Sequence, residues 1–106
     1  MKVLLDECVN SRLSRLISGH VVETVTGRRW NGVKNGHLLS RAVDAGFQAF
    51  VTLDRNLPFQ NHIASYRIAV FVLRARRNAL PVLKPLVPAL LVALGKATHG
   101  TVTVIG

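Results

Sequence analysis

Val3-Leu4-Leu5-Asp6-Glu7 runs three apolar residues into two adjacent carboxylates, almost at the N-terminus. So short an apolar run in a small chain reads as a strand buried on both faces of a sheet. Two acids at its end do not belong to that core. In open α/β sheets, ligands bind just beyond the carboxyl ends of the strands. Val51-Thr52-Leu53-Asp54 repeats the pattern. The two stretches together predict Asp6 and Asp54 side by side at one edge of a sheet.

Outward from these stretches the chain alternates. Cys8 to Ser18 spaces Val9, Leu13, Leu16 and Ile17 as on a helix, with Gly19 as its stop. His20 to Val25 is rich in β-branched residues and reads as a second strand. A polar loop, Thr26 to Lys34, leads to a helix over His37 to Ala45, with Asn35 as its cap and Gly46 after it. Phe47 to Leu53 is the third strand, followed by a short helical or irregular piece through Ala64. Arg67 to Leu73 is the fourth strand. Ala79 to Leu94 reads as a long helix that Pro85 and Pro88 should kink, and Thr101 to Ile105 closes as a fifth strand. Strands alternating with helical crossovers argue an α/β fold with a parallel sheet and helices on both faces.

The totals agree. At 106 residues and 49% hydrophobic content, the chain forms one domain, 1–106, with a single core. One cysteine, Cys8, excludes an internal disulfide framework and suits a reducing cytoplasm. No signal peptide is expected, and the apolar Ala79–Leu94 region is too broken by Lys84 and three prolines to span a bilayer. Fourteen Lys and Arg against five Asp and Glu give a net charge of +9. That balance points to an anionic partner, with nucleic acid the first candidate and an acidic protein serving the charge equally well, against the plainer reading of a generally basic surface with no dedicated ligand.

In a parallel sheet all strand carboxyl ends share one rim. Asp6, Glu7, the Thr26–Lys34 loop with Arg28 and Arg29, Asp54, Arg55, and the run Arg74, Arg76 and Arg77 should all gather there, bordered by Asn35 and His37. Few acids among many bases fit Mg²⁺ or Mn²⁺, which is commonly held by one or two carboxylates together with substrate phosphates. Metal-assisted phosphodiester hydrolysis needs little more. Asp6 and Asp54 are the expected ligands, direct or through water. Glu7 ranks lower, because adjacent residues on a strand point to opposite faces. The plainer alternative is that each aspartate merely caps the segment after it. Trp30 could stack on a base or cover a core edge. His20, His62 and His99 have no metal-site spacing.

Leu4-Leu5-Asp6-Glu7, Gly32 to Leu39, and Val51-Thr52-Leu53-Asp54-Arg55-Asn56 resemble the short PIN-like domains of bacteria, relatives of the VapC-type toxin ribonucleases. The resemblance implies a three-layer α/β/α PIN-like fold with a mainly parallel five-stranded sheet. It also implies an acidic Mg²⁺ or Mn²⁺ site that cuts RNA, and a cognate antitoxin as partner. Asp6 and Asp54 match the acids after the first and third strands. Where such relatives carry a further acid at the start of the second helix, this chain has Asn35 and His37. These two, with Asn56, are the remaining site candidates.

The leading expectation is therefore a divalent-metal-dependent ribonuclease of the toxin type, with catalytic Asp6, Asp54 and Glu7 and RNA-binding Arg28, Arg29, Arg55, Arg74, Arg76 and Arg77. The alternative is a catalytically degenerate PIN-like module that binds RNA or protein. A receiver-type phosphoacceptor domain is a third reading, but Leu73 leads to Arg74 where such domains need Ser or Thr. Leu86, Leu90 and Leu94 are candidates for a homodimer face.

Overall fold

A computed structural model describes residues 1–106. Five strands, β1 (Lys2–Leu5), β2 (Val21–Thr24), β3 (Ala49–Thr52), β4 (Ala69–Leu73) and β5 (Val102–Ile105), form one sheet in the order β2-β1-β3-β4-β5. Every pairing is parallel. β3 and β4 are buried along their whole length, as their unbroken apolar runs require, while the edge strands β2 and β5 are largely exposed or half-buried. Helix α1 (Asn35–Asp44) joins β2 to β3, and the short α2 (Leu57–Gln60) lies between β3 and β4. α3 (Leu80–Leu83) and α4 (Val87–Gly95) lead to β5.

The period-2 alternation of strands divides the core. Val3, Leu5, Ala49, Val51, Ala69, Phe71 and Leu73 belong to one apolar cluster, together with Leu13 and Ile17 and with Leu83, Leu90 and Leu94 of the last helices. Leu4, Phe50, Val70 and Val72 belong to the other, with Leu38, Leu39 and Ala42 of α1 and with Leu57 and Ile63. Each large side chain fully buried this way stabilises the fold by about 1.5–3 kcal/mol before entropy is counted.

Strand order and cluster membership fix the relative hand of each crossover. The connections β1–β2, β2–β3 and β3–β4 share one hand. The β4–β5 connection advances in the same direction as β3–β4 but packs on the opposite face, so its hand is opposite. Parallel crossovers overwhelmingly keep a single hand. The exception leaves β5 without a helix on the α1 face, and Val102 and Val104 are exposed there.

Several local expectations are corrected. The Cys8–Ser18 segment is not an α-helix but a 3₁₀ stretch, Ser11–Leu16, started by the Asn10 side chain accepting from Arg12 N at 3.0 Å. Ser11 and Ser14 are poorer helix formers than the arginines and leucines around them. Asn35 is not the cap of α1: the capping position is Lys34, with no side-chain bond, and Asn35 is the first helical residue. The long Ala79–Leu94 helix is split by a 3₁₀ turn at Lys84–Leu86, where Pro85 and Pro88 withhold backbone donors. Leu90 and Leu94 are fully buried against the sheet, so these two form core and not a dimer face, while Leu86 is half-buried and packs against that core.

Candidate active site

β1 ends at Leu5 because Asp6 turns away into a short loop, closed by Val9 N donating to Asp6 O at 3.0 Å. Asp6 N still donates to Val51 O at 2.9 Å, so the register continues for one more residue and sets Asp6 across from Thr52. Thr52 is fully buried, and its hydroxyl donates to Asp6 Oδ2 at 2.7 Å while accepting from Asp54 N at 3.0 Å. Asp6 Oδ1 accepts from Glu7 N at 2.8 Å, and the Cys8 thiol donates to Asp6 Oδ2 at 3.4 Å. Asp54 Oδ1 accepts from Asn56 N at 2.9 Å, a local turn that orients its carboxylate.

Asp6, Glu7, Cys8, Asn35, Leu53 and Asp54 line one open cleft of about 360 Å³. The cleft lies at the carboxyl ends of β1 and β3. There the strand order reverses direction, and that is where open parallel sheets bind ligands. Its charge is unbalanced. Of the five acidic residues in the chain, only Glu23 makes a salt bridge, to Arg28 at 2.9 Å and to Lys2 at 3.8 Å. Asp6 is 8% exposed and is satisfied by amide, hydroxyl and thiol donors alone. The Cys8 thiol is pushed above its ordinary value, chiefly by partial burial of the sulfur, with the Asp6 carboxylate adding to it. Hydrogen bonds from Thr52 and the Leu53 backbone oppose that rise.

The other sequence candidates divide. Asn35 lines the cleft, but His37 is exposed and does not. Asn56 contributes its backbone N–H to Asp54, not its side chain to the cleft. Glu7 lines the cleft, yet its carboxylate accepts from Asn31 Nδ2 at 3.0 Å and from Gly32 N at 3.3 Å, fastening the loop after β2. Arg28 is engaged elsewhere: it grips Glu23 with two hydrogen bonds, 2.9 and 3.2 Å, and lies over the rings of Trp30 and Phe47 at 5.2 and 5.0 Å. Trp30 accordingly covers a core edge, meeting Phe47 edge-on at 6.2 Å. Arg29, Arg55, Arg74, Arg76 and Arg77 remain exposed. The turn that carries the last three is tied to the β1 end by Asn78 Oδ1 accepting from Asn10 N at 2.6 Å.

Sequence reading missed Thr52 and Cys8. The signal for Thr52 was present: a single hydroxyl inside an otherwise apolar buried run must find a partner. Cys8 gave no signal, because its place beside Asp6 depends on how the chain turns after β1.

The donor set fits some metal chemistry better than others. No three side chains of His, Cys, Asp and Glu converge closely enough to hold a metal by themselves, which argues against a closed, all-protein cage such as structural zinc requires. Two carboxylates at an open cleft do suit Mg²⁺ or Mn²⁺, which keep waters and share their coordination with phosphate. Comparisons with family models, with curated proteins and with solved structures returned no match.

Proposed function

We propose that this chain is a Mg²⁺- or Mn²⁺-dependent ribonuclease acting at the Asp6–Asp54 cleft, as the toxin of a toxin–antitoxin pair. The observation that supports it is the set of carboxylates left without a cationic partner in a chain of net charge +9. Fourteen basic residues could have neutralised them, and a buried acid is normally paired. A divalent cation, with the phosphate it attracts, completes the balance.

Asp6 and Asp54 would hold the metal, and bound there it supplies Lewis-acid polarisation of a phosphodiester and a more acidic water. Thr52 holds the Asp6 carboxylate with one oxygen fixed. Arg55, Arg74, Arg76, Arg77 and Arg29 gather the RNA backbone by neutralising phosphates, so affinity falls as salt rises. Glu7 keeps the Thr26–Lys34 loop beside the cleft and is a positioning residue. The toxin role and the antitoxin partner rest on the resemblance to PIN-like domains. The alternative, a catalytically degenerate PIN-like module that binds RNA or protein, is favoured by one observation: Asn35 stands at the cleft where the PIN-like domains this chain resembles carry an acid. The parallel sheet alone does not decide among such readings.

Asp54→Asn tests the proposal, since the Asn56 turn survives the change. Mn²⁺-dependent cleavage of a mixed RNA should fall by about a hundredfold or more, with growth inhibition lost on expression. Equal inhibition by both forms, or none by either, overturns the nuclease. RNA affinity that persists without detectable Mn²⁺ binding establishes the binding module.

A further inference from the structure

The α1 face of the sheet carries a second, very different feature. In the register that sets Asp6 beside Thr52, Thr52 is followed across the sheet by Val72 and Val104. Two strands on from the acidic cleft, the same face carries an apolar groove of about 370 Å³. Val72, Val102 and Val104 line it, Phe59 of α2 stands along one side, and Arg55 and Arg74 flank it. Phe59 is 90% exposed and Val104 is 53% exposed. The cause is the reversed hand of the β4–β5 connection, which carries α3 and α4 to the other face and leaves this one bare. β5 is also an edge strand.

We propose that this groove is a protein-docking site for a partner segment that carries large apolar side chains flanked by carboxylates. No acid lines the groove and its charged residues are both arginines, so it is electrostatically complementary to an acidic segment. A second copy of this chain would bring arginine to arginine and +9 to +9. RNA would have to lay a charged backbone over three valines, with one aromatic to stack on. An exposed Phe beside arginines is the composition of an interface anchor with a polar rim. The groove contains no metal-site residue but shares Arg55 and Arg74 with the proposed RNA contacts, and Phe59, outside that set, is the residue that separates the two readings.

The experiment is selection of random displayed peptides on the intact chain in EDTA, counter-selected on Phe59→Ser, which changes a side chain that packs on almost nothing. The recovered peptides should be rich in Asp, Glu and large apolar residues. A synthetic copy of the strongest should bind about tenfold more weakly to Phe59→Ser, to Val104→Thr and to Arg74→Glu. An oligouridylate should bind wild type and Phe59→Ser alike. The proposal is overturned if no peptide depends on Phe59, or if the selected peptides lack acids. It is equally overturned if Phe59→Ser removes oligouridylate binding, which assigns the groove to RNA, or abolishes a self-association seen by sedimentation, which assigns it to a second copy.

Discussion

Two carboxylates of this protein, one half-buried and one buried, meet opposite surroundings. Glu23, at the β2 edge, is held by Arg28 and approached by Lys2, and both cations also lie over the Phe47 ring. Asp6, just past the end of the interior strand β1, meets only uncharged donors: a threonine hydroxyl, a thiol and a backbone amide. In a chain with nearly three bases for every acid, abundance alone would have paired both. The difference is topological. The loop after β2 folds Arg28 back over Glu23, whereas the loops after β1 and β3 bring Asp6 and Asp54 next to each other. Charge neutralised at one place stabilises the fold, and charge left bare at the other is available for a ligand.

The sharpest way to break this contrast is Thr52→Val. It keeps the shape and removes the only hydroxyl donor to a carboxylate that is 8% exposed. Stability measured by urea denaturation should fall by roughly 1–3 kcal/mol, and Mn²⁺ affinity should fall with it. A neutral result would mean that Asp6 draws its support from elsewhere.

Arg28→Ala tests the other side. The pair is partly exposed and screened by water, so its loss should cost about 1 kcal/mol or less, with Mn²⁺ binding unchanged. Its pH signature is specific. Arg28 holds the Glu23 carboxyl below its ordinary value of 4.5. On acidification the unfolded chain therefore takes up that proton first. The contribution is complete above the ordinary value and is lost as pH falls through the lower folded one. Thermal melts of Arg28→Ala should lack that part of the acid limb, while Thr52→Val should retain it.

The smallest effect concerns Cys8. Partial burial and the neighbouring Asp6 carboxylate both raise its thiol above the ordinary value of 9.0. Asp6→Asn should lower it and speed iodoacetamide labelling at mildly alkaline pH by roughly threefold. Glu23→Gln, on the far strand, should leave the labelling rate unchanged.

Much of the fold was legible because burial writes directly into the residues. Strands covered on both faces must be apolar throughout, and Val3–Leu5, Ala49–Thr52 and Ala69–Leu73 are so apart from Thr52. The helices were harder to read. Leu86, Leu90 and Leu94 look like a spare apolar stripe in one dimension, and only packing reveals that the last two are core. Arg28 reads as one more surface arginine until Trp30 and Phe47 are placed beneath it.

The sequence by itself pointed to Asp6 and Asp54 following parallel strands and sharing one rim, because apolar runs are local and their alternation with crossover segments favours parallel order. Tertiary structure decided which acids stay unpaired, that Thr52 links them, and that β5 is bare on one face. Those depend on register, on where loops fold back, and on the hand of a single crossover. Such properties arise between segments distant in the chain, and no residue pattern within a segment carries them.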